Sequence, residues 1–503
     1  MSNNIIEKYL EKAGSNINAG LLSYVASLAQ VKSVSPVIAK SIVDELESQR
    51  SSLKLIASEN YCSLPTQATM GNLLTDKYAE GFPLHRFYAG CDNVDAIELE
   101  ACEQAKKLFG AECAYVQPHS GADANMIAFM AILHKKVGGE VLERLKKEKI
   151  NDLTDAEWAE YRREMGNQKL LGLDYYSGGH LTHGYRFNIS AQLFDAHGYK
   201  VREDNWLLDY DQIEAQAKEI KPVLLLAGYS AYPRAINFRR MREIADSVGA
   251  VLMVDMAHFA GLVAGGVFEG DNNPVKFAHI LTSTTHKTLR GPRGGIVLCT
   301  EEYKEFVERG CPYVIGGPLP QVMASKAVAF TEANTQSFKD YAKKIVENAQ
   351  ALAEACQAEG IEVATGGTDN HLMLLDMRPF GITGRQAEAA VRECSITLNR
   401  NSLPYDTNGA WFTSGLRIGT PAVTTLGMGK TEMLEIAKII KLVVSNTKPS
   451  IMEKGANAGK PSKTGYVIDQ AAKTEAQARV KAMLSRFPVY PELDLNFLKE
   501  HFC

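Results

Sequence analysis

The chain reads as an α/β protein: a large, mostly parallel sheet domain with a smaller α+β domain behind it. Three observations predict this. Between about residues 100 and 300, short continuous apolar runs alternate with helical segments, the pattern of parallel strands covered on both faces. From about 320 to 445 the pattern changes to a long helical stretch, one apolar run and two further helices. And 503 residues exceed what one compact core encloses, so two domains plus appendages are expected.

Taken in order, residues 1–60 predict an N-terminal helical arm, with Ile38, Ile42, Leu46 and Leu53 at near-helical spacing. The large domain spans 61–320. Its strands are expected at 112–117, 222–228, 250–256, 279–285 and 295–300, with a helix at 239–248. Within it, 135–169 is dense in charge and carries a capping box at Thr154 and Glu157, which predicts a solvated helical insert. The small domain spans 321–447: helical over 321–360, a strand at 371–377, and helices at 384–394 and 430–447. The remainder, 448–503, reads as a Gly/Lys/Pro/Ser linker (448–465) and a C-terminal extension with an alanine-rich helix at about 467–486.

Composition narrows the function. A net charge of −4 gives no electrostatic reason for nucleic acid or a membrane as partner. Nine cysteines, an odd number without a C-x-x-C pair, suggest reduced thiols and a cytoplasmic location. No secretory h-region is visible at the N-terminus. The most apolar stretch, 249–268, contains Asp255 and His258 and is a poor membrane span.

The sharpest chemical signal is T-S-T-T-H-K at 282–287, followed by T-L-R-G-P-R-G-G. A lysine at a strand's end, partly desolvated, can attack a carbonyl as a free amine. Asp255 closes the run V-L-M-V-D, where a near-buried carboxylate needs a cationic partner. A Schiff-base lysine with a pyridinium-pairing aspartate is how proteins usually hold pyridoxal phosphate. H-S-G-A-D-A-N (119–125) follows a strand and opens a helix, so its amides could cup a phosphate, although an ordinary N-cap would look the same. G-G-H-L-T-H-G (178–184) offers two histidines but no further ligands for a metal; one could stack on a flat cofactor. G-M-G-K-T (427–431) mimics the end of a P-loop, but Thr424 stands where the first glycine must be, and no G-x-G-x-x-G occurs.

Eight motifs in order then resemble the serine hydroxymethyltransferase (glycine hydroxymethyltransferase) family, in its bacterial form with an internal insert and a C-terminal extension. They are L-I-A-S-E-N (55–60), K-Y-A-E-G-F-P (77–83), the three segments just quoted that carry His119, His180 and Lys287, V-D-M-A-H (254–258), G-G-T-D-N-H-L (366–372) and T-S-G-L-R-I-G-T (413–420). The resemblance covers roughly 37–447, less the insert. It implies fold type I (aspartate-aminotransferase-like), pyridoxal 5'-phosphate as cofactor, tetrahydrofolate as co-substrate, L-serine and glycine as substrates, and a homodimer or larger assembly with shared active sites.

Carried over residue by residue, Lys287 resembles the Schiff-base lysine, Asp255 the pyridinium partner and His180 the stacked ring. Ser120, Gly121 and Ala122 would hold the phosphate. Gly316, Gly317 and Tyr78 would contact the cofactor too, the glycines from the partner subunit. Ser230, Thr284 and His286 would lie near the phenolic oxygen and the Schiff base. Arg417, with Ser58, Tyr88 and His258, would bind the substrate carboxylate. Glu80 resembles the proton-transfer acid, with Tyr88 and Thr284 also in the chemistry. Tyr175, Gly179, His180, Leu181, Asn401 and Glu80 would form the folate side.

Departures from the family pattern fall on that folate side. Phe87 replaces one of two adjacent tyrosines, Tyr175 a leucine, Arg400 a lysine, and 406–412 reads D-T-N-G-A-W-F. Two rival readings follow: a folate-independent aldolase of β-hydroxy amino acids, and a binding protein on a degenerate enzyme fold, which the intact Lys287, Asp255, Glu80 and Arg417 disfavour.

Overall fold

The computed structural model describes residues 2–454 and 458–503. Its centre is a seven-stranded sheet. From one edge to the other the strands are Cys113–Tyr115, Gly295–Cys299, Ile280–Thr284, Val251–Asp255, Leu224–Gly228, Lys169–Leu173 and Asp195–Tyr199. All neighbours run parallel except at Gly295–Cys299, which is antiparallel to both its partners. Four of the five inner strands are buried at every position and Lys169–Leu173 at all but its first, as double-sided helical cover requires. The five expected strands are all present. Two more, Lys169–Leu173 and Asp195–Tyr199, were not expected: the first begins on the last residue of the charged segment, and the second, D-A-H-G-Y, is a largely unburied edge without an apolar run.

The smaller sheet is antiparallel, in the order Glu362–Val363, Leu372–Asp376, Gly415–Gly419, Asn399–Asn401. Helices Gln336–Ala358 and Lys430–Ser445 cover it and share its apolar cluster. The expected helix over 321–360 is two, Pro320–Ala333 and Gln336–Ala358, because Thr335 starts a new N-cap.

Three expectations need correction. In the arm, the helical period holds but its phase does not. Helix Pro36–Ser51 buries Ala39, Val43 and Leu46 and leaves Ile38 and Ile42 exposed, while Leu53 pairs with Ile396 as a short parallel strand. The buried side faces the C-terminal helix Leu495–Phe502, with which the arm forms one apolar cluster. The charged insert is shorter than predicted. Helix Gly121–Leu133 runs on through a π turn, His134–Gly138, into Gly139–Arg144, because Val137 and Val141 reach the core. Only the chain beyond that leaves the domain. It returns through the helix Asp155–Met165, with the expected capping box at Thr154, and docks by buried Tyr161, whose hydroxyl meets His134 Nδ1 at 2.9 Å. Finally, the linker at 448–465 is largely a hairpin, Thr447–Ile451 against Pro461–Ile468, leading into helix Gln470–Arg486. Its residues 455–457 lie outside the described residues. Gln386 holds the hairpin by donating to the carbonyls of Ser462 and Gly465.

No described helix is long and apolar enough to cross a membrane. None of the nine cysteines is bridged among the described residues.

Candidate active site

The carboxyl ends of the central strands carry the chemistry, as in open α/β sheets generally. Asp255 and Thr284 are the last residues of adjacent strands, and Lys287 follows three residues on. Lys287 Nζ donates to Thr284 Oγ1 at 3.1 Å. Burial pushes its amine down to about 8. Asp255 pulls the other way, and Arg417 and Arg293 add to the lowering. A lysine at that value carries a useful fraction of free amine near neutral pH.

Asp255 is buried. Burial would raise its pKa, but His183, then His180 and Asn125, outweigh it and hold the carboxyl well below the usual range. His183 Nε2 lies 3.1 Å from Oδ2 and Asn125 Nδ2 donates to the same oxygen at 2.9 Å; the Ala257 N–H donates to Oδ1 at 3.0 Å. The network continues outward. Thr282 Oγ1 donates to Asn125 Oδ1 at 2.5 Å, Asn125 Nδ2 donates to Thr182 Oγ1 at 2.7 Å, and Thr182 Oγ1 lies 2.7 Å from His180 Nδ1. Burial pushes His180 down to about 4, so its ring is uncharged at neutral pH. His180, His183 and Asp255 also place donor atoms within 4.8 Å of one another, but these three donors are spent on each other or on Thr182.

Above this floor lies a cleft of about 330 Å³. Lys287, His180, His258, Ser58, Ser230 and Arg417 line it, together with Tyr175, Gly179, Leu181 and Asn401 on its outer side. Arg417 sits mid-strand in Gly415–Gly419, opposite Leu374 and Asn399. Its Nε donates to Asn399 Oδ1 at 3.0 Å and its Nη1 to the Ser230 carbonyl at 2.6 Å, which aims the rest of the fork into the cleft. Burial pushes the guanidinium down to about 10, still charged at neutral pH. His258 stacks on His371, with Nδ1 3.3 Å from His371 Nε2.

Ser120 is the N-cap of helix Gly121–Leu133 and accepts from the Asp123 N–H at 3.2 Å. The first-turn amides of Gly121 and Ala122 have no intrahelical acceptor. Gly121 packs so closely on Thr284 that a Cβ there would lie 2.7 Å from its Cγ2. His286 Nδ1 is buried without a partner, and burial pushes that ring down to about 3.

A second group stands apart from this cleft. Tyr78 is 56% and Tyr88 48% exposed, with their rings 5.0 Å apart. Tyr78 Oη donates to Glu80 Oε1 at 3.3 Å, and the carboxylate pushes the phenol's pKa up. Gly316 and Gly317 lie against Glu80 and Tyr78. Arg86 braces this shelf from below. It donates to the carbonyls of Ala79 and Gly81, on either side of Glu80, while bonded to Asp95 and buried Glu98.

Four residues with evident work escaped the sequence reading: His183, Asn125, Thr282 and Asn60. The second histidine of G-G-H-L-T-H-G was visible, but its partner was not. Asn60 Nδ2 donates to the main-chain carbonyl of Lys287 at 2.9 Å and to Tyr341 Oη at 2.7 Å, tying the arm to the lysine loop.

The fold and the lysine–aspartate floor define the class: a pyridoxal-phosphate-dependent transferase of fold type I. The residues fit that cofactor, with a charged carboxylate under the cleft, an uncharged ring beside it, an unpartnered buried imidazole nitrogen and a capped helix start free to take a phosphate. The serine hydroxymethyltransferase family profile matches residues 31–144 and 164–440. A serine hydroxymethyltransferase of Treponema pallidum (strain Nichols) is 58% identical over 503 residues, all of this chain and 87% of that protein. One of Salinispora tropica is 55% identical over 480 residues, 95% of this chain and 99% of the relative, and one of Chlamydia abortus 52% over 497, 98% and 99%. The chain belongs to the serine hydroxymethyltransferase family. The stretch that the profile skips, 145–163, coincides with the excursion that the structure shows leaving the domain.

Proposed function

We propose how this site carries the family's reaction, the interconversion of L-serine plus tetrahydrofolate and glycine plus 5,10-methylenetetrahydrofolate. The observation that carries the reading is that Lys287 and Arg417 line one cleft, with buried Asp255 close enough to act on the Lys287 amine, each with its charge state set by its surroundings. Bound there, pyridoxal 5'-phosphate supplies a carbonyl for the substrate amine and an electron sink for the charge left on Cα as the Cα–Cβ bond breaks.

Lys287 would supply the amine that holds the cofactor, and Thr284 Oγ1 accepts a hydrogen bond from it and so fixes its position. Asp255, kept ionised by His183 and Asn125, would keep a proton on the cofactor's pyridine nitrogen. His180, its ring fixed by Thr182, would stack on the cofactor's ring. Ser120, Gly121 and Ala122 would bind the phosphate, and Ser230, Thr284 and His286 would lie by the cofactor. Arg417 takes the serine carboxylate bidentately, with Ser58 and His258 beside it. Tyr175, Gly179, Leu181 and Asn401 form the wall that the pterin meets.

Glu80 moves the proton between the hydroxymethyl oxygen and the folate nitrogen; Tyr78 donates to its carboxylate, and Tyr88 packs on the Tyr78 ring. Within one chain it lies outside the cleft. We therefore infer a homodimer in which the Tyr78–Glu80–Tyr88 shelf and Gly316–Gly317 complete the cleft of the partner subunit. A cytoplasmic location fits the unbridged cysteines.

The test is serine cleavage with and without tetrahydrofolate. Strong dependence supports the reading. Equal cleavage in its absence would instead favour a folate-independent aldolase, the reading to which Tyr175, Arg400 and Trp411 would then point.

A further inference from the structure

Lys326 lies in helix Pro320–Ala333 and is 1% exposed. Its Nζ donates to three main-chain carbonyls: Val116 at 2.6 Å, Pro118 at 2.9 Å and Gly295 at 2.8 Å. Glu98, Cys102 and Asp123 act on it only through space. Burial pushes the amine down to about 7. Three acceptors need three protons, however, and only the ammonium has three to give, so the bonds require the charged form.

The carbonyls it gathers are not scattered. Val116 and Pro118 follow the edge strand Cys113–Tyr115 and lead directly into Ser120; Gly295 opens the neighbouring strand. The Gly295 N–H also donates to the Pro118 carbonyl at 2.9 Å. Packing leaves no slack here. A Cβ on Gly295 would lie 2.1 Å from the Ser120 carbonyl oxygen, and one on Gly294 2.5 Å from Lys326 Cε. In a trans peptide the N–H points opposite the C=O, so fixing the Pro118 carbonyl on the ammonium turns the His119 N–H away from it. The charge is also felt at His286, next to Lys287. Nothing in the sequence pattern sets this lysine apart from any other helical lysine.

We propose that Lys326 is a positioning residue for the cofactor's phosphate. Its ammonium ties down the turn that carries Ser120 and places a buried positive charge behind it, where a dianion gains from the field. The inference rests on reading the site as one for pyridoxal phosphate.

The experiment compares two probes on apoprotein prepared from the full-length holoenzyme: pyridoxal 5'-phosphate, and pyridoxal, which lacks the phosphate. Binding is followed by visible absorbance and protein fluorescence. Lys326→Gln should weaken pyridoxal phosphate ~10-fold or more while pyridoxal binds as in the parent. Gly294→Ala keeps the charge but pushes Cε aside, and should show the same selective loss in smaller measure. Equal weakening of both probes, or undiminished affinity for pyridoxal phosphate in a folded variant, overturns the proposal. Failure of both variants to fold overturns it too, because Lys326 would then be a core residue. A parent that binds no pyridoxal phosphate would overturn the site reading itself.

Discussion

Around Lys287 nearly every group is braced. Asp255 accepts from three donors, His180 is held through Thr182, and Arg417 is fixed by Asn399 and Ser230 before any substrate arrives. Around Glu80 the opposite holds. Tyr78 and Tyr88 stand about half exposed, and among the described residues the Glu80 carboxylate accepts one long hydrogen bond, 3.3 Å, from Tyr78. Preorganised groups in a desolvated cleft are the ones that stabilise charge most strongly. Bracing of the segment that carries Glu80 by Arg86, itself bonded to Glu98, shows that the shelf is built although its outer face is bare. The shelf is built but uncovered and the cleft is braced but open; the proposed homodimer would join them, and the predictions test that division.

The largest effect should come from the cleft. Lys287→Gln removes the transferable amine and should abolish multiple turnover; borohydride reduction of the parent followed by peptide mapping should place the pyridoxyl group on Lys287. Mapping to another lysine would break the comparison at its centre.

Glu80→Gln keeps the side chain's shape and deletes its titratable proton. Folate-dependent serine cleavage should fall by about 10²–10⁴-fold, the usual worth of general acid–base catalysis. Glycine and cofactor binding should stay as they are, because the cleft is untouched. Parent-level turnover would reduce Glu80 to a scaffold residue.

Arg417→Ala inverts that pattern. Removing one partner of a desolvated charge pair costs about 2–5 kcal/mol, so serine and glycine binding, measured by titration, should collapse while the cofactor stays bound. Retained serine affinity would take Arg417 out of the site.

The smallest effect is expected outside both regions. Replacing 147–163 by a short glycine-containing turn removes Tyr161 from its place on His134 and should lower the Tm. It touches neither cleft nor shelf, so serine cleavage should be unchanged. Loss of assembly on deletion would make the excursion an interface element.

How much of this was legible follows from how each feature is written in the chain. Val251–Asp255 opens as a continuous apolar run because both faces are covered, and Ile280–Thr284 is recognised by its buried start and its hydroxyl-rich end; the two carry Asp255 and Thr284 as their last residues. Lys169–Leu173 is apolar and buried after its first residue but starts where the charged segment ends, which hid it, whereas Asp195–Tyr199 is held by pairing with its neighbour more than by apolar content, and a single-sequence pattern does not record pairing. Arg417 was found by motif, yet its strand, G-L-R-I-G, is bounded by glycine at both ends and passes for a loop. The partners of Asp255 are a histidine, an asparagine and, behind the asparagine, a threonine, from three distant segments, and no periodicity links them. In the arm the period was readable and the phase was not, because the phase depends on the C-terminal helix that covers it. The shelf was readable as residues but not as a place, since its position outside the chain's own cleft is a fact of the fold alone.

Subunit complementation tests the division most directly. Lys287→Gln and Glu80→Gln chains are each expected to be inactive or nearly so in folate-dependent cleavage. Coexpressed with two different tags and purified as the mixed species, they should regain turnover well above either parent variant, since one cleft in each hybrid then meets an intact shelf from its partner. A purified hybrid no more active than the Glu80→Gln protein would contradict the account and return Glu80 to the cleft of its own chain.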